Sequence, residues 1–296
     1  MKIALSPKHL QDLCNTAIEA AREAGQWIES YDRRHLEAVF KDSGSSQASQ
    51  LVTQVDLRSE EIIRHHLQSI SQKFDIAFVG EESAMSADNN TEQRFEKPFF
   101  WCVDPLDGTL PFTQGHAGYA VSIALVEQSG RPIIGIVYDP ANQVLMHGID
   151  GQACYRNMAP FSRVKSTSES LEVYADASFK SHAKYQAAVS ALEQCAQLLN
   201  LDDLSFIYGN GAVKNAYHVI DSNHACYLKL PKQEDGGGSI WDFAATACIA
   251  NQAGAWASDI HGKPLSLNRP GSTFMNHDGI LFASNQDIAR YLIDAL

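Results

Sequence analysis

Trp101-Cys102-Val103-Asp104-Pro105-Leu106-Asp107-Gly108-Thr109 is the stretch on which the reading of the whole chain turns. Phe99 to Val103 is an apolar, aromatic-rich run of the kind that forms a buried strand. It delivers two carboxylates, Asp104 and Asp107, where the chain is expected to turn. Pro105 fixes φ and removes a donor, while Gly108 admits close approach of a ligand to the backbone. Two acids and the Thr109 hydroxyl are thus brought to one place. Mg²⁺ takes oxygen ligands in near-octahedral array, few of them carboxylates, and fills the rest of its shell with water and phosphate. Asp104, Asp107 and the Leu106 carbonyl therefore form a candidate cation site. An Asp-Pro turn whose acids cap neighbouring N–H groups accounts for the same residues, and further acids elsewhere in the chain are what tip the balance.

Such acids occur at three further places. Gly80-Glu81-Glu82-Ser83 follows the apolar run Ile76 to Val79, and adjacent glutamates at a strand end repel unless a cation or basic partner lies beside them. Asp242, in Trp241-Asp242-Phe243, opens a helix that ends at Gly254, where an ordinary N-cap is the plain alternative. Asp56 directly precedes Leu57, Ile63, Leu67 and Ile70, the apolar face of another helix, and a cap explains it equally well.

Taken together, G-E-E, then D-P-L-D-G-T, then W-D at a helix start resembles the inositol monophosphatase superfamily in order and spacing. Leu51-Val52-Thr53-Gln54-Val55-Asp56, Ala253-Gly254-Ala255 and Gly262-Lys263-Pro264-Leu265 are similar to that family's flanking segments, so the likeness runs from about residue 10 to 285. The resemblance implies a layered αβαβα sandwich and two or three Mg²⁺ ions held by Glu81, Asp104, Asp107, Asp242 and the Leu106 carbonyl. It implies a water oriented by Thr109, itself paired with Glu81 or Asp56, for attack on a phosphate monoester. The N–H groups of Gly108 and Thr109 would hold phosphate oxygens, and Asp107, Gly108, Thr109, Lys214 and Asp242 would contact the substrate. Sensitivity to lithium and a homodimer are further implications.

Composition narrows the classes. With 296 residues and 45% hydrophobic content, the chain has ample volume for a core. No apolar run approaches the roughly 18 residues of a membrane span, and nothing at the N-terminus follows the order of a signal peptide, so a cytoplasmic protein is expected. A formal charge of −12 argues against a nucleic-acid polymer as partner but not against a small phosphate ester, because a metal supplies positive charge where side chains do not. Six cysteines without C-x-x-C spacing read as buried thiols, and the eleven histidines form no H-E-x-x-H or H-x-H. His65-His66 reads as part of a solvated helix surface.

Ser6-Pro7 starts an amphipathic helix carrying Leu10, Cys14, Ala17, Ala21, Ala24 and Ile28 as far as Tyr31. Residues 41–50, with Lys41, form a polar loop that is either a lid over a phosphate or a surface connection. Residues 119–147 read as an antiparallel meander, and the part after residue 170 alternates strand and helix, which implies an α/β layer. The expected organisation is an α+β half over 1–160 bearing most of the acids and an α/β half over 161–296 closing the site.

Two substrate branches remain open. Lys214, in Gly209-Asn210-Gly211-Ala212-Val213-Lys214, resembles the G-S-S-x-K of 3′(2′),5′-bisphosphate nucleotidases, where a second phosphate rewards a lysine. Ser178-Phe179-Lys180-Ser181-His182 and Ser239-Ile240-Trp241-Asp242 lean the same way. Leu110-Pro111-Phe112 departs from the K-E-F of that branch, and Thr113-Gln114-Gly115 is nearer the inositol phosphatases. The nucleotidase is favoured. A phosphate- or metal-binding regulatory protein without turnover is the alternative of another class.

Overall fold

The computed structural model describes residues 5–36, 38–40, 51–84, 91–163 and 169–296. The 41–50 loop with Lys41 lies outside them. Helix α1 (Pro7–Ser30) starts as expected, with the Ser6 hydroxyl accepting from the His9 N–H and Pro7 in the first turn, and it buries Leu13, Cys14, Ala17, Ala21, Ala24 and Ile28. A hairpin, β1 (Ala38–Phe40) and β2 (Leu51–Thr53), leads into α2 (Gln54–Phe74), which packs on α1.

The first sheet contains β3 (Ile76–Gly80), β4 (Phe99–Asp107), β5 (Ala120–Glu127), β6 (Pro132–Asp139), β7 (Val144–Ile149), β8 (Cys154–Arg156) and β9 (Ala159–Pro160), in that spatial order. Only the β3–β4 pair is parallel; the rest is the expected meander. Three short helices, α3 (Glu81–Ala84), α4 (Gln93–Glu96) and α5 (Thr109–Thr113), fill the connections around β3 and β4.

The turn expected at Asp104 is instead a bulge in a strand that continues to Asp107. Asp104 faces Ser122 and Asp107 faces Ala120, so Pro105 and Leu106 together stand opposite Val121 alone. Pro105 offers no N–H to the ladder, and the extra residue re-aims both carboxylates while the strand holds their spacing.

The second sheet has the order β11-β10-β12-β14-β13, with β10 (Ser170–Tyr174), β11 (Asp203–Ile207) and β12 (Ala225–Lys229) parallel, and β14 (Ile280–Ala283) antiparallel to β12 and β13 (Trp256–Ser258). Helices α6 (Tyr185–Leu198) and α9 (Gln286–Ala295) cover its outer face through Leu192, Cys195, Ile288 and Leu292. Between the sheets lie α7 (Ala212–Asp221) and α8 (Ile240–Gln252), whose Val213, Tyr217, Phe243 and Ile249 join side chains of both sheets in one apolar cluster. With α1 and α2 on the far face of the first sheet, the layers run αβαβα. Burial on both faces explains why β4 and β5 read as unbroken apolar runs rather than alternating ones. All six cysteines are buried free thiols.

Candidate metal centre

Asp104, Asp107 and Asp242 each place a carboxylate oxygen within 4.8 Å of the other two. The β4 bulge supplies the first pair, and the start of α8 supplies the third. Asp242 is not the N-cap of its helix: Ser239 caps, and Asp242, three residues on, reaches back to accept the Ser239 N–H at 2.9 Å. Its Oδ2 sits against Gly238, at φ +84°, where a Cβ would overlap it. Asp107 is held from behind by α7, with the Ala212 N–H donating to Oδ1 and the Val213 N–H to Oδ2, each at 2.9 Å.

The electrostatics of the trio are those of a site that wants a cation. Burial, followed by the charges of Glu81, Asp107 and Asp242, pushes the Asp104 carboxyl well above the usual range. Burial and then Asp242 do the same to Asp107 against the two helix amides. Burial raises Asp242 to about 6, with Lys229 opposing it. Burial and neighbouring negative charge thus disfavour the ionised form of each carboxylate, a penalty that a divalent ion removes. The residues present fit Mg²⁺: carboxylate oxygens, two buried and one half-buried, from a strand and a helix far apart in the chain.

Glu81 is the first residue of α3, at the end of β3, and its charge reaches Asp56, Asp104 and Asp242. Asp56 is buried, and its two oxygens have separate partners. One oxygen accepts the N–H of Thr53, the true N-cap of α2, at 2.8 Å, which makes Asp56 the reaching-back partner rather than the cap itself. The other oxygen accepts the Thr109 hydroxyl at 2.8 Å. Burial raises its carboxyl to about 6, against the hydrogen bonds from Thr53 and Thr109. The Thr109 hydroxyl also lies 3.2 Å from the Leu106 carbonyl, and the Leu106 N–H donates to Asp104 Oδ1 at 3.1 Å. Gly108, at φ +86°, turns the chain into α5 where a Cβ would overlap the Gly118 carbonyl, so only glycine fits.

Lys214, expected at the substrate, is engaged in a buried ion pair. It is 1% exposed, its ammonium is paired with Asp139, and Asp139 is held in turn by the N–H and amide of Asn142. Freeing the ammonium for a second phosphate would strand a buried carboxylate, which costs more than a surface contact returns.

A different lysine faces the acids. Lys229 ends β12 with its Nζ 2.8 Å from Asp176 Oδ2 and 5.4 Å from the centre of the Phe243 ring. Burial pushes its pKa down, but Asp176, Asp242 and Asp107 more than offset this and hold it above the ordinary value. Two residues on, the Pro231 carbonyl lies 3.0 Å from His182 Nε2, at the end of the 178–182 segment. Sequence reading missed Lys229 because its only signal is a charge closing an apolar strand.

Comparison with known proteins gives the family and the fold. The profile of the inositol monophosphatase family matches residues 9–295. Inositol monophosphatase 3 of Solanum lycopersicum is 29% identical over 274 residues, covering 87% of this chain and 90% of that protein. The 3′(2′),5′-bisphosphate nucleotidase CysQ of Shigella flexneri is 28% identical over 262 residues, covering 87% and 94%. Among solved structures, the extragenic suppressor protein suhB from Bartonella henselae superposes with a TM-score of 0.71 at 22% identity over 96% of this chain and 98% of that one. The chain belongs to the inositol monophosphatase family and is a metal-dependent phosphomonoesterase of that type.

Proposed function

We propose that the enzyme is a Mg²⁺-dependent, lithium-sensitive 3′(2′),5′-bisphosphate nucleotidase that releases one phosphate from a substrate such as adenosine 3′,5′-bisphosphate. The observation that supports the reading is Lys229, whose Nζ lies 2.8 Å from the partly exposed Asp176 and whose charge acts on Asp107 and Asp242. A substrate with one phosphate among the acids would bring its second anionic group to this lysine, and Asp176, unlike Asp139, keeps access to solvent. Glu81, Asp104, Asp107, Asp242 and the Leu106 carbonyl hold the metal. When bound, Mg²⁺ neutralises phosphate charge and lowers the pKa of water. Thr109 orients the attacking water through its hydroxyl, Asp56 keeps that hydroxyl in place at 2.8 Å, and the Gly108 and Thr109 N–H groups hold phosphate oxygens.

The inositol phosphatase reading has its own support in Leu110-Pro111-Phe112, where Pro111 and Phe112 are buried and the segment itself carries no charge. Phosphate release from adenosine 3′,5′-bisphosphate and inositol 1-phosphate, with Mg²⁺ and with added Li⁺, tests both. Preference for the bisphosphate, lost selectively in Lys229→Gln, is expected. Preference for inositol 1-phosphate would overturn the nucleotidase reading, and no release from any ester would favour a binding protein.

A further inference from the structure

Glu81 acts on Asp104 and Asp242 through its charge, and the backbone that follows it is fixed by another carboxylate. Glu60 lies on α2, one turn after Asp56, and is 5% exposed. Its Oε2 accepts the Glu82 N–H at 2.8 Å and its Oε1 accepts the Ser83 N–H at 3.0 Å. Arg64, 3.3 Å from Oε1, supplies the counter-charge. Gly80 lets the carboxylate come this close, since a Cβ there would overlap Glu60 Oε2. Helix α2 thereby registers two sides of the site at once, Thr109 through Asp56 and the Gly80–Ser83 corner through Glu60.

We propose that Glu60 is a positioning residue: by binding the two amides that follow Glu81, it sets where the Glu81 carboxylate meets the Asp104, Asp107 and Asp242 group. This rests on Glu81 serving as a metal ligand. Glu60→Gln keeps the volume but opposes an NH₂ group to one of the two amides. Mg²⁺ affinity, measured by calorimetry on folded protein, is expected to fall roughly 10- to 100-fold, with the substrate KM at saturating Mg²⁺ unchanged. Glu61→Gln, a change of the next residue on the exposed face of α2, should leave Mg²⁺ affinity as it is.

Glu81→Gln separates the two ideas. If Glu81→Gln weakens Mg²⁺ binding and Glu60→Gln does not, the positioning role fails and the ligand assignment stands. If neither does, Glu81 is not a ligand. Wild-type protein provides a check that needs no variant. The Glu82 and Ser83 amides should exchange slowly with deuterium and more slowly still with Mg²⁺; exchange at the rate of an open loop, or no response to Mg²⁺, would overturn the proposal.

Discussion

The Asp107 carboxylate rests against the bare Cα of Gly211, one residue before the two helix amides that hold it. At φ −66° and ψ 167°, Gly211 has a backbone conformation that alanine adopts freely. In open space, Gly211→Ala would stabilise the fold by restricting the unfolded chain. Here the new Cβ would overlap Asp107 Oδ2 and displace it. The expected outcome is a fall of about 10-fold or more in Mg²⁺ affinity by calorimetry. Unchanged affinity would separate Asp107 from the metal.

Asp107→Asn removes a charge that burial and Asp242 already disfavour, and it leaves one of the Ala212 and Val213 amides without an acceptor. The lost acceptor costs about 1–3 kcal/mol, and relief of repulsion offsets it, so metal-free stability in denaturant should change little. Turnover should fall by about 100-fold or more. Near wild-type turnover would contradict the assignment.

The Lys214–Asp139 pair makes a contrasting case. Lys214→Met leaves Asp139 as a buried, uncompensated charge, with an expected loss of about 3–5 kcal/mol in urea unfolding. Whatever folded protein remains should keep its preference between bisphosphate and monophosphate substrates. A selective rise in KM for bisphosphates, without loss of stability, would restore Lys214 to the substrate site.

Stability should depend on pH in opposite senses with and without metal. Asp56 and Asp242, pushed up to about 6 when folded, bind protons more tightly than in the unfolded chain, where they titrate near 3.8. Their contribution is complete below about pH 4 and is lost as pH rises through about 6, worth about 3 kcal/mol for Asp56. With a chelator present, Tm should therefore be higher near pH 5 than near pH 7.5. Mg²⁺ must displace the Asp242 proton, so its affinity rises over the same interval and the order of Tm values should reverse. A chelated protein that melts higher near pH 7.5 would refute the sign.

The strands and helices were legible as apolar runs ending in acids, helical spacing and an alternating second half, whereas the layer order and the convergence of Asp104, Asp107 and Asp242 came from the family resemblance carried by the G-E-E, D-P-L-D-G-T and W-D motifs. The bulge was not legible, since Pro105 reads as a turn until the β5 partner is known to continue past it. Nor was the fate of Lys214, because its partner lies 75 residues away and no local spacing links them. Lys229 and Glu60 were invisible for the same reason. Each is an ordinary charged residue in its own segment, and only the tertiary arrangement gives it something to hold.

Helix α8 belongs to the second half of the chain but lies on the first sheet: the Ser122 hydroxyl donates to the Trp241 carbonyl at 3.0 Å, and Gly135 leaves no room for a Cβ beside the Ala245 carbonyl. A fragment cut at residue 160 would therefore lose both the lid of its own core and the third carboxylate. Split-protein reconstitution, rather than independent expression of the halves, is the experiment that this anatomy permits, and recovered Mg²⁺ binding would report the moment the two pieces dock.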